Sequence, residues 1–291
     1  MYAKEVFMVK YELHSHSIMS DGCETPTQVV RDAKKAGVRL LALSDHDSMK
    51  GVEEAIEEGK RIGVTVLPAI EIDTELFGEE LHILGIGVDI HEQALFEAIE
   101  AQCQKRLERL WRMVDVVEKK GIPVREHIKL SGGSASRADI AKALFSMGYG
   151  NSVSEAFNMF LTKDLDVNCE YKRLPAKTAI ELINGAGGIA ILAHPCLYGT
   201  ETELIVKELV PHGLMGIEAY YISATEAQRR EGVALAEKYG LIVTCGTDYH
   251  GMAIRPTSPM GGAFVNNEDV RKGYEFIVNK LGIKFYEAID D

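Results

Sequence analysis

Short apolar runs alternate with amphipathic stretches at both ends of this 291-residue chain. Val6–Tyr11 reads as a strand. Thr25-Pro26 opens a helix to about Gly37, with Thr as cap and Pro at the first helical position. Val38–Leu43 follows as a strand, Gly51–Ile62 as a helix, and Val64–Ile70 and His82–Val88 as strands. The rhythm resumes with a helix near Ala176–Ala186, a strand at Gly188–Leu192 and a helix near Glu201–Val210. Gly216–Ala219 and Leu241–Cys245 read as strands, Ala224–Tyr239 and Asn267–Leu281 as helices. Repeated strand–helix units with short apolar strands imply an α/β protein with a mainly parallel sheet, closed or nearly closed into a barrel. Between about Ile90 and Tyr171 the period changes. Gln93–Lys120, Arg137–Met147 and Val153–Leu161 carry helical spacing with little strand between them. The expected organisation is a barrel from residues 1–90 and 172–291, with a mainly helical insertion, residues 91–171, capping the barrel mouth.

Composition narrows the functional classes. A hydrophobic fraction of 46% and a charged fraction of 26% are those of an ordinary soluble protein. No apolar run approaches bilayer length and no signal-type start is visible, so a cytoplasmic location and no membrane partner are expected. A net charge of −12 argues against long nucleic acid, which is held by many Lys and Arg contacts to phosphate. A small anionic substrate stays compatible where bound cations reverse the local field. The five cysteines form no Cys-x-x-Cys pair and are odd in number, so no disulfide framework is expected.

The candidate chemistry sits at the predicted strand ends. In His14-Ser-His16, on an extended backbone, the two imidazoles project to one side. Six of the nine histidines fall in five short pieces: His14-Ser-His16, Asp45-His46-Asp47, Glu79-Glu-Leu-His82, His194-Pro195 and Asp248-Tyr-His250. Glu71 ends the Val64–Ile70 run, Asp21 follows the first pair, and His82 begins its strand. In a barrel the C-terminal strand ends converge on one face, so these residues can meet there. The candidate ligands are His14, His16, Asp21, His46, Glu71, His82, His194, Asp248 and His250. Imidazole and carboxylate without thiolate suit Mn, Fe or Zn. Nine ligands exceed one ion, so two to three clustered divalent ions are expected, with Glu71 as the bridging carboxylate.

These motifs, in this order, resemble the PHP (polymerase and histidinol phosphatase) family, and in particular its stand-alone phosphoesterases with a helical insertion. Those relatives include phosphatases of nucleoside 3′,5′-bisphosphates and exonucleases of short RNA. The resemblance implies a distorted seven-stranded β/α barrel and a trinuclear metal centre. It implies one ion on His14, His16, Glu71 and Asp248, a second on Glu71, His82 and His194, and a third on Asp21, His46 and His250. The implied activity is hydrolysis of phosphate esters of a small metabolite or nucleotide, cyclic diesters included, with Glu71, His194 and Asp248 catalytic. A metal-bridging hydroxide would attack phosphorus and release inorganic phosphate. A metal-bound water or His194 would protonate the leaving oxygen.

Arg137 begins a helix after Gly-Gly-Ser-Ala-Ser136, where backbone N–H groups and a guanidinium could hold a second phosphate. Lys172, Arg173 and Arg255 are further candidates for substrate binding. Three rival readings remain. The first is a 5′–3′ exonuclease on short RNA or DNA oligonucleotides. An amidohydrolase would want a bridging lysine where Glu71 stands, and a non-catalytic metal-binding module would have lost ligands that this chain keeps.

Overall fold

Strands β1 (Lys10–Glu12), β2 (Val38–Leu43) and β3 (Thr65–Leu76) lie side by side and parallel. They are joined by helices α1 (Pro26–Lys35) and α2 (Val52–Ile62). β4 (Glu79–Ile86) then returns antiparallel to β3, and β6 (Ile189–Leu192) pairs antiparallel to β4. β7 (Gly216–Tyr221) and β8 (Ile242–Gly246) continue in parallel. The two-residue β5 (Leu174–Pro175) pairs with β3 off this path. This is a computed structural model, and it describes residues 10–130, 132–161, 169, 171–261 and 267–288. The expected strand Val6–Tyr11 therefore falls partly outside the described residues.

The two edges of the sheet nearly meet. His16 N–H donates to the Tyr249 carbonyl at 2.7 Å, Tyr249 N–H to the His14 carbonyl at 3.2 Å, and Ser44 N–H to the Ser15 carbonyl at 2.8 Å. The segment carrying both first histidines is thus clamped between the ends of β2 and β8.

The mainly parallel rhythm is interrupted at β4, which opposes both of its neighbours. Phe77 and Gly78 both take positive φ, 55° and 83°. That is the backbone of a tight two-residue hairpin, whose twist suits the flanking strands. β3 consequently runs six residues past Ile70, and β4 begins three residues before His82. Three glutamates, Glu75, Glu79 and Glu80, hid this hairpin. Beneath them Ile72, Thr74, Leu76, Leu81 and Ile83 are buried with a period of two.

The main core lies between the sheet and helices α6 (Ala176–Gly185), α7 (Thr202–Leu209), α8 (Glu226–Tyr239) and α9 (Glu268–Leu281). A second apolar cluster joins α3 (Gln93–Lys119), α4 (Arg137–Ser146) and α5 (Val153–Phe160). Helix α3 belongs to both. Leu95 and Ile99 enter the barrel core, whereas Leu110, Met113, Val114 and Val117 enter the second. At 27 residues it spans about 40 Å, long enough to tie the two together. The loop before α4 also touches the barrel: Ser134 N–H donates to the Met19 carbonyl at 2.7 Å. A Cβ on Gly133 would sit 1.8 Å from that same oxygen, so only glycine fits there.

Ile83 is fully buried at the centre of β4. Ile83→Ala should lower stability by about 2–5 kcal/mol through lost burial and a cavity. Urea unfolding of the metal-free protein measures this, and a loss below 1 kcal/mol would place Ile83 outside the core.

Candidate metal centre

All nine expected ligands come together at one end of the barrel, and Glu71 stands in their midst. It lies within β3 rather than at its end, but β2 has already finished there, and His46 and Glu71 form an isolated parallel bridge. Glu71 Oε2 lies 3.2 Å from each of His14 Nε2, His16 Nε2 and His46 Nδ1. Its Oε1 lies 3.1 Å from His82 Nδ1 and 3.0 Å from His194 Nε2. Asp248 Oδ1 is 3.1 Å from His16 Nε2 and 3.5 Å from His14 Nε2. Asp21 Oδ1 is 3.1 Å from His250 Nε2 and 3.8 Å from His16 Nδ1, while His46 Nε2 lies 4.0 Å from Asp21 Oδ2. His82 sits inside β4, opposite Asp73 of β3.

His14 Nε2, His16 Nε2, Glu71 Oε2 and Asp248 Oδ1 are buried and make no hydrogen bond. Buried polar atoms are normally satisfied, and four converging orphans, two imidazole nitrogens and two carboxylate oxygens, are the donor set a divalent cation takes. Among the described residues, four overlapping groups could each hold an ion: His16–Asp21–His46–His250, His14–Glu71–His194, His14–His16–Asp248 and His46–Asp73–His82. The residues fit the metals that their chemistry implies.

Supporting groups escaped the sequence reading. Glu218 on β7 lies 3.1 Å from His14 Nδ1 and accepts from His194 N–H at 2.9 Å. A Cβ on Gly246 would meet Glu218 Oε1 at 2.2 Å, so that glycine makes the approach possible. Asp45 accepts from Ser17 N–H, Ser17 Oγ and Ser20 Oγ, each at 2.7 Å, which ties down the turn bearing Asp21. The Tyr198 hydroxyl lies 3.2 Å from His194 Nδ1, and Tyr221 donates to Asp248 Oδ2 at 2.9 Å. Asp47, His194 and Asp248 hold positive φ, 47°, 27° and 51°. Non-glycine residues are seldom found there, and such strain clusters at functional sites.

The five basic and polar candidates lie on different sides of the cluster. Arg255 ion-pairs with Asp248 and so stands at the centre itself. Arg173 pairs with Glu80, whose carboxylate lies 3.5 Å from His82 Nε2, and Lys172 is its exposed neighbour. Ser136 caps α4 in a capping box with Asp139, and Arg137 lays its guanidinium over Phe157 at 5.2 Å. The same helix reaches the centre through Lys142, which donates to the carbonyl of Gly22, next to Asp21.

Residues 12–278 match the PHP domain model. The chain belongs to the PHP family. It is 35% identical to a 5′-3′ exoribonuclease of Haemophilus influenzae, over 83% of this chain and 90% of that one. It is 35% identical to a phosphoribosyl 1,2-cyclic phosphate 1,2-diphosphodiesterase of Eggerthella lenta, over 82% and 94%. A 3′,5′-nucleoside bisphosphate phosphatase of Chromobacterium violaceum is 30% identical over 84% and 88%. Among solved structures, a candidate metal-dependent phosphoesterase from Bifidobacterium adolescentis superposes with a TM-score of 0.82 at 25% identity, covering 96% of each chain.

The electrostatics of this PHP centre follow from burial against opposite charge. Burial alone would depress the imidazoles. Around His14 the carboxylates of Glu218, Glu71 and Asp248 outweigh it and hold the pKa well above 6.5. The carboxylates of Asp248 and Glu71, 3.1 and 3.2 Å from His16 Nε2, overcome the same burial at His16 and push it up to about 10. His46 and His82 are raised against burial by Glu71 and Asp73. At His194 burial wins and the pKa falls. Burial works to raise Glu71, but His46, His14 and His82 hold it well below the usual carboxylate range.

Metal-free protein thus carries protons on several of these imidazoles near neutrality, and a metal takes only neutral imidazole. Metal uptake should therefore release protons, and apparent affinity should rise with pH. Without metal the sign is opposite: the stabilisation from the raised histidines is complete below about pH 6.5 and fades as pH climbs through their folded values. Calorimetric Mn titration in buffers of different ionisation enthalpy reads the proton count. Uptake with no proton release would show that the imidazoles are already neutral.

Proposed function

We propose that this PHP-family phosphoesterase hydrolyses phosphate esters of a small phosphorylated metabolite or nucleotide. It would do so with two to three divalent ions, Mn, Fe or Zn, held by the nine residues around Glu71. The observation that carries this reading is the convergence of unpartnered, buried imidazole and carboxylate atoms on one bridging glutamate. His14, His16, Glu71 Oε2 and Asp248 Oδ1 would take one ion, Glu71 Oε1, His82 and His194 a second, and Asp21, His46 and His250 a third. When bound, such ions supply a water acidified to near-neutral pKa and positive charge against the phosphate oxygens. Glu71 is a carboxylate, not the bridging lysine that an amidohydrolase would want.

The protein's own groups then divide the remaining work. Glu71, with Oε2 facing His14, His16 and His46 and Oε1 facing His82 and His194, would be shared between two ion positions. Both His194 nitrogens are engaged inside the centre, Nε2 with Glu71 and Nδ1 with Tyr198. In this reading the leaving oxygen therefore takes its proton from water. Arg255 offers a guanidinium at the edge of the centre, and Arg137 with Ser136 is the candidate for a second phosphate, with Lys172 and Arg173 beside the His82 side. A second reading, 5′–3′ trimming of short oligonucleotides, draws support from the Haemophilus relative. A panel of phosphomonoesters, a 3′,5′-bisphosphate nucleotide, cyclic phosphodiesters and 5′-phosphorylated short RNA separates the two by kcat/KM. No hydrolysis of any of them with added Mn, read as inorganic phosphate from the monoesters, ring-opened monoester from the cyclic diesters and mononucleotide from the RNA, would defeat both.

Glu71→Gln keeps the shape but removes the bridging charge. Turnover should fall at least about a hundredfold, and excess Mn should restore little. His46→Ala, which touches a single ion position, should be partly rescued by excess metal. Near-normal turnover in Glu71→Gln would sink the bridging role.

Arg137→Ala should raise KM for a substrate with a second phosphate by about 1.5–3 kcal/mol in binding, and barely affect a simple monoester. Equal losses on both substrates would make Arg137 structural.

A further inference from the structure

Strand geometry puts one more carboxylate beside the nine ligands. Asp73 follows Glu71 by two residues on β3 and stands directly across from His82 on β4, so all three side chains project from the same face of the hairpin. Ile72 and Ile83 take the opposite face and are fully buried in the core. His46 is brought to the same spot by its neighbour: Asp47 N–H donates to the Glu71 carbonyl at 2.8 Å, and Asp73 N–H donates back to Asp47 Oδ1 at 3.1 Å. Asp73 is 6% exposed. Its Oδ1 lies 2.8 Å from His46 Nδ1 and 3.7 Å from His82 Nε2. Neither Asp73 Oδ1 nor His46 Nδ1 makes a hydrogen bond, although both are buried.

Polar atoms buried this deeply are normally satisfied. Two ligand atoms about 2.0–2.2 Å from one ion lie about 3–3.5 Å apart, and the two separations here fall on either side of that range. One ligand atom from each of His46, Asp73 and His82 lies within 4.8 Å of the other two. The charge balance also favours a cation. Arg106 Nη1 donates to both Asp73 Oδ2 and Asp47 Oδ2, so a single guanidinium answers two buried carboxylates and leaves Asp73 Oδ1 turned toward the two rings. We propose that Asp73 is a metal ligand, and that with His46 and His82 it forms a further divalent-cation position outside the nine-residue set. One carboxylate and two imidazoles suit Mn, Fe or Zn, as at the neighbouring positions. A neutral imidazole has one lone pair to give. An ion at Asp73 therefore competes for His46 with the position of Asp21 and His250, and for His82 with that of Glu71 Oε1. The inference rests on the metal-centre reading above and extends it to a tenth residue.

The test pairs anomalous diffraction at the manganese edge, from crystals of the Mn(II)-loaded full chain, with Mn(II) titration in solution. A manganese peak at bonding distance from Asp73 Oδ1, about 2.0–2.2 Å, is expected. In solution, metal-stripped Asp73→Ala and Asp73→Asn should each bind one ion per chain about tenfold or more weakly than the unaltered protein, a loss that even a partner outside the ligand set can cause. Far-UV circular dichroism checks folding. Asp73→Asn keeps the shape and an acceptor for Arg106, so it decides the matter should Asp73→Ala not fold. Manganese at the other positions with none bonded to Asp73 overturns the proposal, whatever the titration reads. A peak at Asp73 with unchanged affinity in the variants also overturns it, since that is binding at crystal concentration only. No manganese anywhere in the chain would defeat the metal-centre reading and this one with it. Manganese on Asp73 in a protein without phosphoesterase activity would defeat the proposed function and leave this inference standing.

Discussion

A fully buried carboxylate at position 71, ringed by five imidazoles, is the constraint on which the rest of this molecule depends. An isolated carboxylate taken out of water is held at a cost of many kcal/mol unless cations replace the lost solvation. The chain brings those partners from four separate segments. His14 and His16 are clamped by the seam between β2 and β8, and His46 bridges Glu71 itself. His82 arrives on the reversed strand, and His194 follows β6. The imidazoles crowd one another as well, with His16 ring centroids 4.7 Å from His46 and 4.2 Å from His250. Protons on neighbouring rings at that spacing repel. Without metal the centre is therefore a compromise, with carboxylates demanding cations that the rings hold too closely together. Divalent ions relieve both sides, because they carry more charge per site and leave each ring neutral.

The barrel had to break its own rule to achieve this. Had β4 run parallel, a crossover of a dozen or more residues would have separated it from β3. The two-residue hairpin instead lays His82 directly across from Asp73 and next to Glu71, so one turn delivers two faces of the site. The other strand ends contribute through strained residues. His194 and Asp248 lie at positive φ just beyond β6 and β8, where the chain turns sharply enough to aim a side chain back over the barrel.

Much of this was legible in the chain itself. The strand–helix alternation marks the barrel, and the His/Asp/Glu pieces at predicted strand ends mark the nine residues that meet. Two things were not. The hairpin was masked because Glu75, Glu79 and Glu80 look like loop, although the buried positions between them keep a two-residue period. Asp73 and Glu218 were lost among 44 acidic residues, since neither lies in a recognisable spacing. Each did leave a physical trace. Glu218 stands alone in the apolar strand Gly216-Ile-Glu-Ala, where an acid must find a partner, and Asp73 shares the face of Glu71 by simple strand alternation. What no local pattern shows is Arg106, twenty residues beyond the end of β4 on a helix whose periodicity only says that it is amphipathic.

That arginine changes how the insertion should be regarded. A cap that merely covered the barrel mouth could be lost while the metal centre stayed intact. Here α3 places Gln102, Cys103 and Arg106 against Asp47 and Asp73, so the floor beneath His46 is built by the insertion helix. Removing that helix would leave two buried carboxylates side by side without their cation. The consequence is already visible at Asp47, where burial and the charge of Asp73 push the pKa up to about 6 even with Arg106 in place. The same helix leads on into the cluster that supports α4, the helix bearing Ser136 and Arg137. Helix α4 and the carboxylates beside His46 are thus anchored to one element, α3. A displacement of α3 that moves Arg106 therefore alters the surroundings of His46 as well.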